Sequence, residues 1–177
     1  MGKASTGAKA GLVSGVLTGV ISGSIAYINL LVFKESMIAY FEELLEELPE
    51  EAQAYLSAET MYSMALNFSF IGALISFIIL GLVFGALMGW GWDKLPGKGL
   101  VKGLVMGLVM FMVLQILSLV SSSIYMGGIG YGLHGGMWIY NMTSSLLVDI
   151  LWGGVAAALY IKWSTKAEGL QGLTRLN

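Results

Sequence analysis

GAKAGLVSGVLTGVISG (residues 7–23) carries glycine at every fourth position: Gly7, Gly11, Gly15, Gly19 and Gly23. In water each glycine weakens a helix by about 1 kcal/mol relative to alanine. Inside a bilayer the balance reverses. A backbone group left unpaired in hydrocarbon costs several kcal/mol, which holds a helix closed whatever its propensities. Lipid supplies no hydrophobic force between helices, so association rests on close approach, and small residues permit it. Four residues turn a helix by about 400°, so the five glycines form one slowly drifting stripe. The stretch reads as a membrane-spanning helix grooved along one side.

Composition points the same way. Of 177 residues, 56% are hydrophobic and 11% are charged, less than half the roughly 25% of an ordinary soluble domain. A soluble chain of this size could not bury so much apolar surface in one core. The chain has no cysteine and one histidine, which excludes disulfides, thiolate chemistry and cysteine-based metal or iron–sulfur centres. No cofactor is expected.

Four stretches reach the roughly 18–20 residues needed to cross hydrocarbon as a helix. They run over about 10–33, 62–90, 100–120 and 140–161. The first is too long for the 7–15-residue apolar region of a secretory signal and is expected to remain as a helix. Pro96 and Gly97 break the chain between the second and third spans, leaving a tight connection. External segments are expected over 34–61, acidic, and 121–139, rich in glycine. The 177 residues then form a single membrane domain.

Charge orients it. Lys3, Lys9, Lys94, Lys98, Lys102, Lys162, Lys166 and Arg175 fall on one side of these spans and only Lys34 on the other. The excess of basic residues marks the cytoplasmic face, so both termini are expected there, in a multi-pass protein of the cell membrane. Eight acids (Glu35, Glu42, Glu43, Glu46, Glu47, Glu50, Glu51 and Glu59) lie together in the first external segment. Trp90, Trp92 and Trp163 mark the inner boundary, and Tyr62, Trp138 and Tyr140 the outer.

The glycine pattern recurs at Gly81, Gly85 and Gly89, and at Gly99, Gly103 and Gly107. GLVSGVLTG (11–19) aligns without a gap on GLVKGLVMG (99–107), and GLVFGALMGW (81–90) more loosely on GGVAAALYIKW (153–163). The expected fold is an all-α integral membrane protein: a four-transmembrane-helix bundle of two tandem parallel helical hairpins. An external amphipathic helix pair separates spans one and two. The spacing resembles that of glycine-zipper proteins, which implies helix packing within the chain and allows self-association. All three ladders lie toward the cytoplasmic half, where the helices should be tightest.

Each span also carries one amide or acid: Asn29, Asn67, Gln115 and Asp149. Counted from the outer ends of the spans they lie at about 8–14 Å depth, in one layer. Asp149 stands out, because an aspartate at mid-span costs about 2.5–3.5 kcal/mol on insertion scales and should face protein or water. Two readings stay open, an ion or proton site opening outward and a buried structural carboxyl hydrogen-bonded to an amide.

In ESMIAYFEELLEELPEEAQAYLSAET (35–60), Met37, Ile38, Phe41, Leu44, Leu45 and Leu48 follow helical spacing with glutamates opposite. Pro49 suits the first position of a second short helix reaching about Leu56. His134 stands alone among metal-ligand types in the Gly-rich segment.

No His-Glu-x-x-His, Gly-x-Ser-x-Gly or phosphate-cradling loop occurs, so the chain is not expected to be an enzyme. Scattered basic residues at a membrane face do not suggest nucleic-acid binding. The expected partners are the bilayer and a second copy or another membrane protein. Two functions fit: a scaffold or accessory subunit held by glycine ladders, or a small ion or proton-coupled transporter using the polar layer around Asp149.

Overall fold

The computed structural model describes residues 3–49, 53, 55–125 and 136–174. Five helices follow one another among these residues, with no strand: α1 Lys3–Val32, α2 Lys34–Glu46, α3 Ala58–Gly91, α4 Leu100–Tyr125 and α5 Gly136–Thr174. Four stretches are long and apolar enough to cross a membrane, namely α1, α3, Leu100–Val120 of α4 and Ile139–Lys166 of α5. All four of these helices overrun, at one end or both, the spans drawn from hydropathy. The 34 residues of α3 extend about 51 Å, against about 30 Å of hydrocarbon.

The helix ends have local causes. Phe33 leaves the α region (φ −104°, ψ 29°), bending the chain into α2. Hydrogen bonding still runs through the bend, from Phe33 N to Asn29 O (3.0 Å) and Met37 N to Phe33 O (2.9 Å). On α2 the stripe Met37, Ile38, Phe41, Leu44 and Leu45 is half-buried while the glutamates are exposed, and the helix rests on α3. The second short helix expected after Pro49 falls largely on residues outside the described set, as do His134 and most of the Gly-rich segment. Ser57 caps α3, its hydroxyl accepting from Thr60 N at 3.2 Å. After Gly91, whose carbonyl accepts from Lys94 N and Leu95 N, Gly97 and Gly99 take positive φ of 88° and 52°.

That turn corrects one assignment. Gly99 belongs to the left-handed turn before α4 and not to its glycine stripe, and a Cβ there would meet nothing within 4 Å. Glycine serves it through conformational freedom, so spacing alone misplaced it.

α1 makes its largest interface with α3, α4 with α5, and α1 also lies along α5, while α3 and α4 barely meet. Burial is uneven along the helices. On α3 nothing is fully buried from 63 to 80, but Gly81, Phe84, Gly85, Met88 and Gly89 are. On α4 the buried positions are Gly103, Met106, Gly107 and Met110; on α5 they run from Val148 to Tyr160. The core of Ala10, Phe84, Met88, Met106, Met110, Trp152, Ala156 and Tyr160 therefore sits in the half next to the lysine-bearing ends. In the other half fewer residues are buried, Ala58, Tyr62 and Asn29 among them, and a groove of about 420 Å³ lies beside Ser24, Tyr27, Ile28 and Phe70.

Candidate functional site

The α1–α3 contact is backbone against backbone. A Cβ placed on Gly7 would lie 2.2 Å from the Gly85 carbonyl oxygen, and one on Gly85 would lie 2.5 Å from that of Gly7. Gly11 and Gly81 form a second reciprocal pair at 2.0 and 2.4 Å, and Gly89 faces the Lys3 carbonyl at 2.3 Å. Each glycine hydrogen that replaces a Cβ thus points at a carbonyl across the interface, the arrangement of Cα–H···O contacts between close helices. Gly15 meets the Phe77 backbone (2.2 Å), whereas Gly19 and Gly23 meet Leu74, Phe77 and Phe70 at about 3 Å. The helices draw apart along the stripe.

α4 and α5 repeat the device. Gly103 and Gly153 face each other's carbonyls at 2.2 and 2.1 Å, Gly107 faces the Asp149 carbonyl at 2.3 Å, and Gly103 also lies against Ala157. Gly153, read from sequence only as leaving space beside Asp149, and Ala157 are packing positions that the glycine ladders did not include. The signal was present, because Asp149, Gly153 and Ala157 follow the same spacing of four. The two contacts differ by one turn: the alignment equates Gly11 with Gly99 and Gly81 with Gly153, yet Gly81 meets Gly11 and Gly153 meets Gly103.

A second stripe on α1 was also missed. Thr6, Ala10, Ser14 and Thr18 are all buried. Ser14 Oγ donates to the Trp152 carbonyl at 2.8 Å, and the Trp152 indole donates to the Gly11 carbonyl at 3.2 Å. Thr18 Oγ1 donates back to Ser14 O within α1. Gly11 thus serves two helices, its bare Cα toward α3 and its carbonyl toward α5.

Asp149 does not lie level with Asn29. Asn29 is buried and its amide donates to Asn141 Oδ1, a partner not anticipated. Asn67 is exposed on α3 and Gln115 is half-buried on α4. Asp149 lies eight residues beyond Asn141 on the same helix, about 12 Å deeper. Depths were counted from the apolar ends of the spans, and α5 begins at Gly136 rather than Tyr140. Asp149 is 2% exposed and its Oδ1 has no hydrogen-bond partner among the described residues. The expected bond from Asp149 to an amide is absent there.

The lysine-bearing end is tied by charge and rings. Lys3 pairs with Asp93, Lys9 lies 4.9 Å over Trp163, and Lys102 lies 5.2 Å over Trp92 while donating to its carbonyl. Trp92 in turn packs against Tyr160, with ring centroids 4.4 Å apart and the planes tilted by 42°. The hydrogen bond and charge of Lys3, helped by Lys102, hold the Asp93 carboxyl below its usual range. The pair is solvated, so its contribution is small. Its sign is definite: it is full above the ordinary aspartate range and is lost as pH falls through the lowered value. Acidification below that range should fray the first turn of α1, read as faster amide exchange at residues 4–8, and Asp93→Asn should produce the same fraying at neutral pH.

Among the described residues no group of three His, Cys, Asp or Glu side chains could hold a metal ion. The lengths, composition and contacts of the helices are those of a multi-pass membrane protein. No protein-family model matches the chain, nor does any curated protein or solved structure.

Proposed function

We propose that this chain is a non-enzymatic scaffold or accessory subunit of the cell membrane, a four-helix bundle held by glycine-lined contacts with both termini in the cytoplasm. The observation that carries the reading is the filling of the core. Trp152, Met88 and Met110 are fully buried at successive levels of the bundle, and carbonyl-to-glycine contacts close both helix pairs. Such a centre favours rigid attachment over passage. The positive-inside pattern supports the orientation, which sets the acidic helix α2 outside. The chain then reads as two tandem hairpins, α1 with α3 and α4 with α5, joined through α1 and α5. The slip of one turn between their contacts argues that any duplication has since diverged.

Partners would be a second copy or another membrane protein, approached through lipid-facing surfaces such as the uncovered side of α4. Reconstitution into liposomes tests the reading. Sodium and potassium flux should equal that of protein-free vesicles and be unchanged by Asp149→Leu. Flux above background that Asp149→Leu abolishes would replace the scaffold with a transporter using the carboxylate.

A further inference from the structure

Two acceptor oxygens, one on α1 and one on α5, are buried without a donor among the described residues: Asn29 Oδ1, on a residue 7% exposed, and Asp149 Oδ1, on a residue 2% exposed. Buried acceptors are nearly always satisfied, and an orphan calls for a missing donor. The described buried donors of this seam are already engaged. Asn29 gives its amide to Asn141, Thr18 its hydroxyl to Ser14 O, Ser14 its own to Trp152 O, and Trp152 its indole to Gly11 O. Two buried acceptors therefore lack a hydrogen among the described residues, and the Asp149 carboxyl is the deeper of them.

The surroundings differ above and below Asp149. Toward α2, the half-buried Ser22 on α1 and the half-buried Ser144 and exposed Ser145 on α5 fall, in position along their helices, between Asp149 and the Asn29–Asn141 pair, and no residue of 139–147 is buried. Toward the lysines, Trp152 and Ala156 are fully buried and Tyr160 is 2% exposed, and Phe84 stands edge-on to Trp152 at 6.4 Å. No Asp, Glu, Lys, Arg or His occurs from 10 to 33 on α1, 60 to 91 on α3 or 103 to 125 on α4. The phenols of Tyr27, Tyr62 and Tyr140 stand nearer α2, and Tyr160 and Lys162 lie below on α5 itself. The charged residues these helices do carry stand outside those ranges: Lys3 and Lys9 on α1, Glu59 on α3, Lys102 on α4, and Lys162, Lys166 and Glu168 on α5.

We propose that Asp149 is a proton-binding site that exchanges with the α2 side of the membrane along the Asn29–Asn141 seam and is closed toward the lysine side. The proton joins a carboxylate oxygen as an O–H bond of hydronium breaks and water leaves; no redox partner is needed. A site open to one side carries no proton across, so the proposal stands apart from the scaffold reading and predicts no steady flux.

The chain has two aspartates, Asp93 and Asp149, which makes the test direct. Full-length Asp93→Asn protein labelled with side-chain ¹³C-aspartate reports Asp149 alone by isotope-edited infrared spectroscopy. It is placed in sealed vesicles of one orientation, checked by impermeant labelling of a single Lys98→Cys. Acidifying the α2 side with an impermeant buffer should produce the protonated carboxyl band promptly, and acidifying the lysine side should produce it at least tenfold more slowly. Asn29→Leu should slow the response from the α2 side. Equal rates from the two faces, a faster response from the lysine side, or a band insensitive to pH on either side would overturn the proposal. Because Asp149 stays in place throughout, misfolding of an Asp149 variant cannot decide the outcome.

Discussion

Gly11→Ala should cost this protein about 3 kcal/mol or more, the upper range of overpacking and close to the point where single substitutions become exceptional. The added Cβ would sit 2.0 Å from the Gly81 carbonyl oxygen and 2.6 Å from Gly85 Cα. Both obstacles are backbone, so no side chain can rotate away and α1 must lift off α3. Separation also lengthens the Trp152 bond to the Gly11 carbonyl, which couples the loss to α5. Gly19→Ala should cost less, because its neighbours at 3.1 Å include the flexible Leu74 Cδ1. Gly72→Ala should be neutral within about 0.5 kcal/mol, since a Cβ there meets nothing within 4 Å. Reversible unfolding in mixed micelles ranks the three variants. Equal costs for Gly11→Ala and Gly72→Ala would show that helix propensity, not contact, sets the stability.

Trp152→Ala should be comparably damaging. The indole is fully buried, packs edge-on against Phe84, and bonds across to α1. Removing such a side chain costs about 3–5 kcal/mol in soluble cores, where transfer from water adds to the loss of contacts. In lipid the contacts alone remain, so the lower end, about 3 kcal/mol, is expected. Trp152→Phe keeps most of the volume and loses the indole donor, and should cost about 1 kcal/mol, in line with hydrogen bonds measured between membrane helices. The same unfolding assay separates them, and a near-equal loss in both variants would assign the stability to the hydrogen bond rather than to volume.

The sequence made the helices legible because a bilayer imposes a length and a polarity, and Ala10–Phe33 or Leu100–Val120 could satisfy them in no other way. The stripe at Gly7–Gly23 was legible for a related reason: five glycines in register have no use in a helix except close approach. Less legible was what each stripe meets. Gly153 and Ala157 answer Gly103 because α5 lies antiparallel to α4 in one register, and register is a property of two helices together. Gly99 shared the spacing but served a turn, a distinction that lies in φ. Asp149 departs from the expected polar layer for a similar reason. Depth along a chain does not by itself give shared height: Asn29 bonds Asn141, and Asp149 lies deeper, its Oδ1 without a partner among the described residues. Asn141, Ser14 and Thr18 looked like ordinary polar residues near spans, and only the facing helix makes them partners.

The central claim is that the helices of this protein meet, in a bilayer, through reciprocal glycine-to-backbone contacts in the half nearest the lysines. Solid-state NMR of the full chain in lipid, with ¹³Cα-glycine as the only label, measures it most directly. The expected result is interhelical cross-peaks joining Gly11 to Gly85, Gly7 to Gly89 and Gly15 to Gly81, whose Cα atoms lie against one another in the structure, with none from Gly72. Absence of these cross-peaks, or a Gly72 cross-peak to another helix in their place, would contradict the account.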